Sequence, residues 1–147
     1  MRLFCSALVL ALALVGCRAH TLDDGPYAVT VDQVLRDDCG LAGTEVIGTA
    51  TLVTQGHQVA LTLAKPDLTM LGTYKYGLEQ ITLDGSLSNQ REVLAGRECL
   101  LDLVTLHADT VTTDPTHFTG SMSIAYETKQ ADACTCRFWF NFKAAAN

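Results

Sequence analysis

An all-β domain is predicted by three features of the chain. Apolar and polar residues alternate strictly in several runs, turn residues recur at short intervals, and no stretch sustains the i, i+3, i+4, i+7 pattern of an amphipathic helix. The alternation marks eight segments, at residues 27–36, 46–54, 57–64, 69–76, 80–86, 99–108, 118–126 and 134–142. Eight short strands in sequence suit a small closed up-and-down antiparallel barrel, with a two-sheet sandwich as the alternative.

The first segment follows Gly25-Pro26 and starts at Tyr27. Gln55-Gly56 and Gly77-Leu78 separate later segments and predict tight hairpins. Gly48, Gly72 and Gly120 fall within segments, where a missing side chain lets a sheet bend as barrel closure demands. The clearest segment, 118–126, sets Phe118, Gly120, Met122, Ile124 and Tyr126 on one face and Thr119, Ser121 and Ser123 on the other. In 134–142 one face is Cys134, Cys136, Phe138, Phe140 and Phe142, and the other is Thr135, Arg137, Trp139 and Asn141. The longer links, residues 87–98 and 109–116 with Asp114-Pro115, are expected to be loops and are the first candidates for function.

The cysteines test this order of strands. If eight strands run up and down, Cys39 ends the first, Cys99 starts the sixth, and Cys134 and Cys136 start the eighth. All four then meet at one rim, as bridging requires, since bonded cysteines bring their Cα atoms within about 7 Å. The eighth strand closes on the first, so Cys39 is expected to pair with Cys134 or Cys136, and Cys99 with the other. A bond between Cys134 and Cys136 themselves would be strained.

The first seventeen residues, MRLFCSALVLALALVGC, have another character. Arg2 supplies a positive start, residues 3–15 an apolar stretch too short to span a bilayer, and small Gly16 precedes Cys17, the layout of an export signal. Leu14-Val15-Gly16-Cys17 resembles the lipobox of bacterial lipoproteins. That resemblance implies removal of residues 1–16 and lipidation of Cys17, with a diacylglyceryl thioether and a further acyl chain that anchor the protein in a membrane. Two or three chains, at about 0.8 kcal/mol per buried CH₂, hold firmly where one binds reversibly. Arg18, where an aspartate would be associated with inner-membrane retention, favours the outer membrane. Cys5 leaves with the signal.

Of the 147 residues, 131 remain, enough for one domain, with 17–25 as the lipidated cysteine and polar tether and 26–147 as the domain. The tether reaches at most roughly 26 Å, which keeps the domain close to the bilayer with its cysteine-bearing rim pointing away. Loss of Arg2 leaves 9 basic against 16 acidic residues and no basic run, so nucleic acid is excluded as a partner. Such an acidic domain is also repelled by anionic headgroups, which leaves the acyl chains to do the anchoring. The even set of four cysteines in an exported chain reads as two disulfides.

No catalytic or metal site is assigned. Cys134-Thr135-Cys136 with His57, His107 or His117 has the residue types of a zinc site but lacks C-x-x-C and H-x-x-x-H spacing. Gly120-Ser-Met-Ser-Ile124 fails the G-x-S-x-G pattern at its last glycine, and Ser121 and Ser123 read as a polar strand face. Asp23-Asp24 and Asp37-Asp38 read as solvated acids, since adjacent side chains in extended chain point apart. His20 reads as a solvated tether residue. Phe138, Phe140, Phe142, Tyr126 and Tyr74 are expected to be core, or to line a cavity for one small ligand.

With Gly25-Pro26-Tyr27 before the first strand, successive hairpins and a late cysteine-bearing strand, the mature domain also loosely resembles a lipocalin-type β-barrel. That resemblance implies an architecture and assigns no functional residue. The expectation is an envelope lipoprotein without cofactor or chemistry, binding a small apolar ligand or an envelope protein. The alternatives are an inhibitor of a cell-wall enzyme, working through residues 87–98, and a small hydrolase.

Overall fold

A computed structural model describes residues 21–75, 79–129 and 134–147. The lipobox, Cys5, Cys17, His20 and the Gly77-Leu78 turn lie outside them. Eight strands run in order: β1 Gly25–Asp37, β2 Thr49–Gln55, β3 Gln58–Leu63, β4 Leu68–Lys75, β5 Gln80–Leu94, β6 Arg97–Asp114, β7 His117–Glu127 and β8 Cys136–Ala146. Each pairs antiparallel with the next, and β8 pairs with β1, so the sheet is one closed barrel and not a sandwich.

Alternation puts the apolar face of every strand inside. Leu52, Leu61, Leu63, Met70, Ile81, Leu83 and Leu106 are fully buried there, and the aromatic row of β8 stacks along the axis with Phe138 and Phe140 centroids 5.0 Å apart. Both clearest strands have the faces expected of them. Outward positions carry Thr51, Thr62, Asp84, Asp109 and Lys143 together with exposed Val53, Leu71, Val111 and Trp139, so the outer face mixes polar and apolar groups. Gly72 and Gly120 do serve closure: a Cβ would come within 2.0 Å of the Thr82 carbonyl oxygen at the first and 2.3 Å of that of Asp109 at the second. Gly48 instead precedes β2, in a left-handed conformation.

Two expected loops are strands. Residues 109–114 continue β6, whose inward positions there are Thr110 and Thr112. Their hydroxyls are satisfied inside, Thr110 by donating to the Ile81 carbonyl and Thr112 by its bond with the Tyr74 hydroxyl at 2.6 Å, so a polar sequence occupies a core face. Residues 87–98 are no loop either, because β5 runs to Leu94 and β6 restarts at Arg97 after a two-residue turn, Ala95-Gly96, with positive φ at both.

That hairpin outgrows the wall. β4 follows β5 only as far as Asp84, and β7 follows β6 only from Leu103, so residues 85–94 and 97–102 form a free-standing ribbon. Since β5 lies opposite β1 in the barrel order, the ribbon arches across the mouth. Its tip donates a backbone hydrogen bond from Ala95 to the Cys39 carbonyl at 2.8 Å, and a Cβ on Gly40 would come 3.1 Å from the Ala95 Cα. Leu94, Cys99 and Leu101 are buried on its inner face.

All four cysteines sit at this rim. Cys39–Cys136 ties β1 to β8 with Cα atoms 5.3 Å apart, and Cys99–Cys134 ties the ribbon to the approach to β8 with Cα atoms 5.7 Å apart. The opposite rim is closed by Tyr27, whose hydroxyl donates to the Asp23 carbonyl at 2.8 Å, and whose ionisation burial and nearby Asp23 push up to about 12. There Leu22 is buried and the Asp23 amide donates to the Pro115 carbonyl, so the last residues read as tether belong to the domain.

On the chain-entropy model the 97-residue closure by Cys39–Cys136 stabilises by about 4 to 5 kcal/mol and the 35-residue closure by Cys99–Cys134 by about 4 kcal/mol. Urea unfolding of the paired alanine variants should therefore show the larger loss for Cys39→Ala with Cys136→Ala. The reverse order would mean that fastening the ribbon outweighs fastening the seam.

Candidate functional site at the capped rim

Three pieces of chain meet beside the ribbon: the 38–48 connection, the β3–β4 turn at residues 64–67, and the ribbon's edge at Gln90 and Glu92. The connection is shaped by Asp37. Its carboxylate accepts from the amides of Cys39 at 3.2 Å, Leu41 at 3.0 Å and Ala42 at 2.8 Å. Desolvation alone would raise its pKa, but these donors together with Gly40 hold it below the ordinary carboxylate range. Farther along, the Glu45 side chain folds over Gly48, where a Cβ would meet its carboxylate at 2.6 Å.

Between these pieces lies a crevice of about 390 Å³. Leu41, Val46, Pro66 and Val104 supply apolar wall, while Glu45, Asp67 and Glu92 bring carboxylates. Lys65 is the one cation lining it among the described residues, and its ammonium stands 3.7 Å from Glu45. At its base is Tyr126 of β7, only 6% exposed. Burial first, and then the Glu92 charge, push its pKa above the phenol range, so the hydroxyl stays protonated.

The Tyr126 hydroxyl has no hydrogen-bond partner among the described residues, yet no buried side-chain polar atom there is left unsatisfied. It must therefore have some accessible surface, and the space it lines is the crevice. The hydroxyls of the buried residues Tyr27, Thr110 and Thr112, by contrast, are bonded within the protein.

The remaining candidates are dispersed. Cys134 and Cys136 are bridged, which removes the thiolates a zinc ion would need. His57 lies in the β2–β3 turn, and His117 donates to the Asp114 carboxylate at 2.9 Å beside the β6–β7 turn, both at the rim where the chain enters, opposite the crevice. Among the described residues no group of His, Cys, Asp or Glu could hold a metal ion. Asp114 is held down to about 2 by His117 and by the Thr116 amide and hydroxyl.

Asp84, His107 and Ser123 form one outward row across β5, β6 and β7. The order suggests a charge relay, but both imidazole nitrogens meet carboxylates, Nδ1 that of Asp84 at 2.7 Å and Nε2 that of Asp109 at 3.3 Å. With both nitrogens facing carboxylates, neither is turned to Ser123 to take its proton. Ser121 and Ser123 are the polar strand face that their alternation implies. The acid pairs are not merely solvated. Asp24 accepts from the Thr54 amide and hydroxyl, both at 2.7 Å, Asp38 pairs with Arg36, and Asp37 shapes the connection.

Phe138, Phe140 and Phe142 turn out to fill the barrel, and Tyr74 packs partly buried against the core. The connections around residues 41–46 and 64–67 border the crevice, as does the ribbon within 87–98. Tyr126 was visible in the sequence only as one more aromatic residue on a strand face, and nothing local distinguished Glu92 from its charged neighbours.

Comparison of the chain with models of protein families, with curated proteins and with solved structures gave no match.

The His107 hydrogen bond with Asp84, with a smaller contribution from Asp109, raises the imidazole pKa above that of free histidine. Stability from this cluster is complete below the ordinary histidine range and is lost as pH rises through the raised value. NMR titration should place His107 above free histidine and Asp84→Asn should bring it down. An unmoved midpoint would show that Asp84 does not govern the proton.

Proposed function

We propose that the protein is a lipoprotein of the bacterial cell envelope, anchored through acyl chains on Cys17, in the outer membrane. Its barrel does no chemistry and engages an envelope protein at the capped rim. The observation that carries this reading is where the chain enters the barrel. Leu22 and Asp23 are docked at the rim opposite both disulfides, and five residues from Cys17 to Leu22 span at most roughly 18 Å. An anchor on Cys17 thus holds the near rim against the bilayer and turns the capped rim outward.

A filled interior favours a protein partner over an apolar ligand inside the barrel. Buried aromatic and aliphatic side chains take up the space that such a ligand needs, and the ribbon covers the mouth. Binding then falls to the outside, and the acidic crevice is the surface at the outward-facing rim that we assign to it. Cofactor and nucleic acid have no part in this reading.

Two measurements test it. Cys17→Ala should move the protein from the membrane fraction to the soluble one with its thermal unfolding unchanged, and continued membrane attachment would remove the anchor. A photo-crosslinker in place of Thr44 or Asp67 should give adducts to an envelope protein in intact cells, where one in place of Thr113 at the near rim should not. Adducts from the near rim alone would reverse the assigned orientation.

A further inference from the structure

The crevice combines features that point to one kind of ligand. Three carboxylates face it against one ammonium, and Lys65 is already engaged by Glu45, which leaves Glu92 and Asp67 without a cation among the residues that line it. Its volume, about 390 Å³, suits a side-chain-sized group. Leu41, Val46 and Val104 give a stem something apolar to lie against. At the base stands Tyr126, a residue only 6% exposed, whose hydroxyl opens on the crevice and has no protein partner among the described residues.

Tyr126 keeps a hydroxyl at the edge of the apolar core that no described protein group engages, where β8 has phenylalanine at every comparable inward position from 138 to 142. A hydroxyl so placed has its donor and acceptor capacity available to a group that enters the crevice. We propose that this crevice binds an ammonium or guanidinium group carried on an apolar stem, with Glu92 and Asp67 supplying countercharge and the Tyr126 oxygen accepting a hydrogen bond at its base.

That chemistry has two sources, a lysine or arginine side chain of a docking protein or a free small amine. The first rests on the partner reading above, whereas the crevice itself does not. Charge complementarity favours the protein source, since a basic side chain entering an acidic rim also steers the approach of its carrier.

The test uses the mature protein labelled with ¹³C-tyrosine, titrated with n-butylguanidinium chloride and, as the uncharged stem, with n-butanol. Butylguanidinium should shift the Tyr126 ring resonances saturably and butanol should not. Tyr126→Phe should weaken binding about tenfold while melting no lower than the parent, which separates loss of a contact from loss of fold. Glu92→Gln should weaken binding by a similar factor, and Glu98→Gln, on the ribbon but outside the crevice, should not. Equal binding of butanol, or full affinity in both Tyr126→Phe and Glu92→Gln, overturns the proposal.

The peptide acetyl-Leu-Arg-Leu-amide then tells the sources apart. Tighter binding than butylguanidinium marks a protein side chain as the ligand, and weaker binding marks a free amine. Should butylguanidinium fail while rim crosslinks to an envelope protein persist, the crevice inference falls and the partner reading stands. Should the crosslinks fail while butylguanidinium binds, the reverse holds.

Discussion

The pairing of β8 with β1 is the contact on which the rest of this structure depends. It turns an eight-stranded meander with two open edges into a barrel with none, and it brings together groups more than a hundred residues apart, as in the pairing of Val29 with Ala144. β8 also carries the aromatic row of the core. At its upper end stand both cysteines that fasten the rim, one to β1 and one to the ribbon. Closure by hydrogen bonds, filling by aromatic rings and covalent bracing therefore act on the same strand. Two bulges in β1, at Asp32 and Leu35, let it bend along its partner without losing register for good.

The two rims are closed by different means, and this gives the barrel a direction. Below, Tyr27 plugs the end and the incoming chain docks beside it. Above, a hairpin that has outgrown the wall lies over the mouth and is held by a disulfide and a backbone hydrogen bond. Between these closures the described inward side chains form one continuous apolar core. The barrel offers relief at the capped end, where a shaped connection, a turn and a ribbon edge leave a gap between them.

Electrostatics follow the same division. The outer wall neutralises its acids locally, as where His107 bridges Asp84 and Asp109 or Lys143 meets Asp32 at 2.6 Å. Several other carboxylates serve the backbone, capping amides that no strand could satisfy. At the crevice, by contrast, three carboxylates and one cation line the wall beside the Tyr126 hydroxyl, which has no protein partner among the described residues. That contrast sets the capped rim apart from the paired acids of the wall.

The strand class, the two faces of β7 and β8, and the convergence of four cysteines were legible in the sequence, because each depends on a period of two and on strand order. Closure narrowed the partner of Cys39 to Cys134 or Cys136, and the structure decided for Cys136. The ribbon and the upper part of β6 were not legible. A strand is known by its apolar face only where that face is filled with apolar groups, and here Thr110 and Thr112 occupy core positions with hydroxyls satisfied by partners distant in sequence. The crevice was still less so. Glu45, Asp67, Glu92 and Tyr126 come from four separate elements, and only the register of closed strands decides which of them meet. Local alternation thus determined the architecture and its braced rim, while tertiary structure alone decided where polar groups find partners and where one is left without.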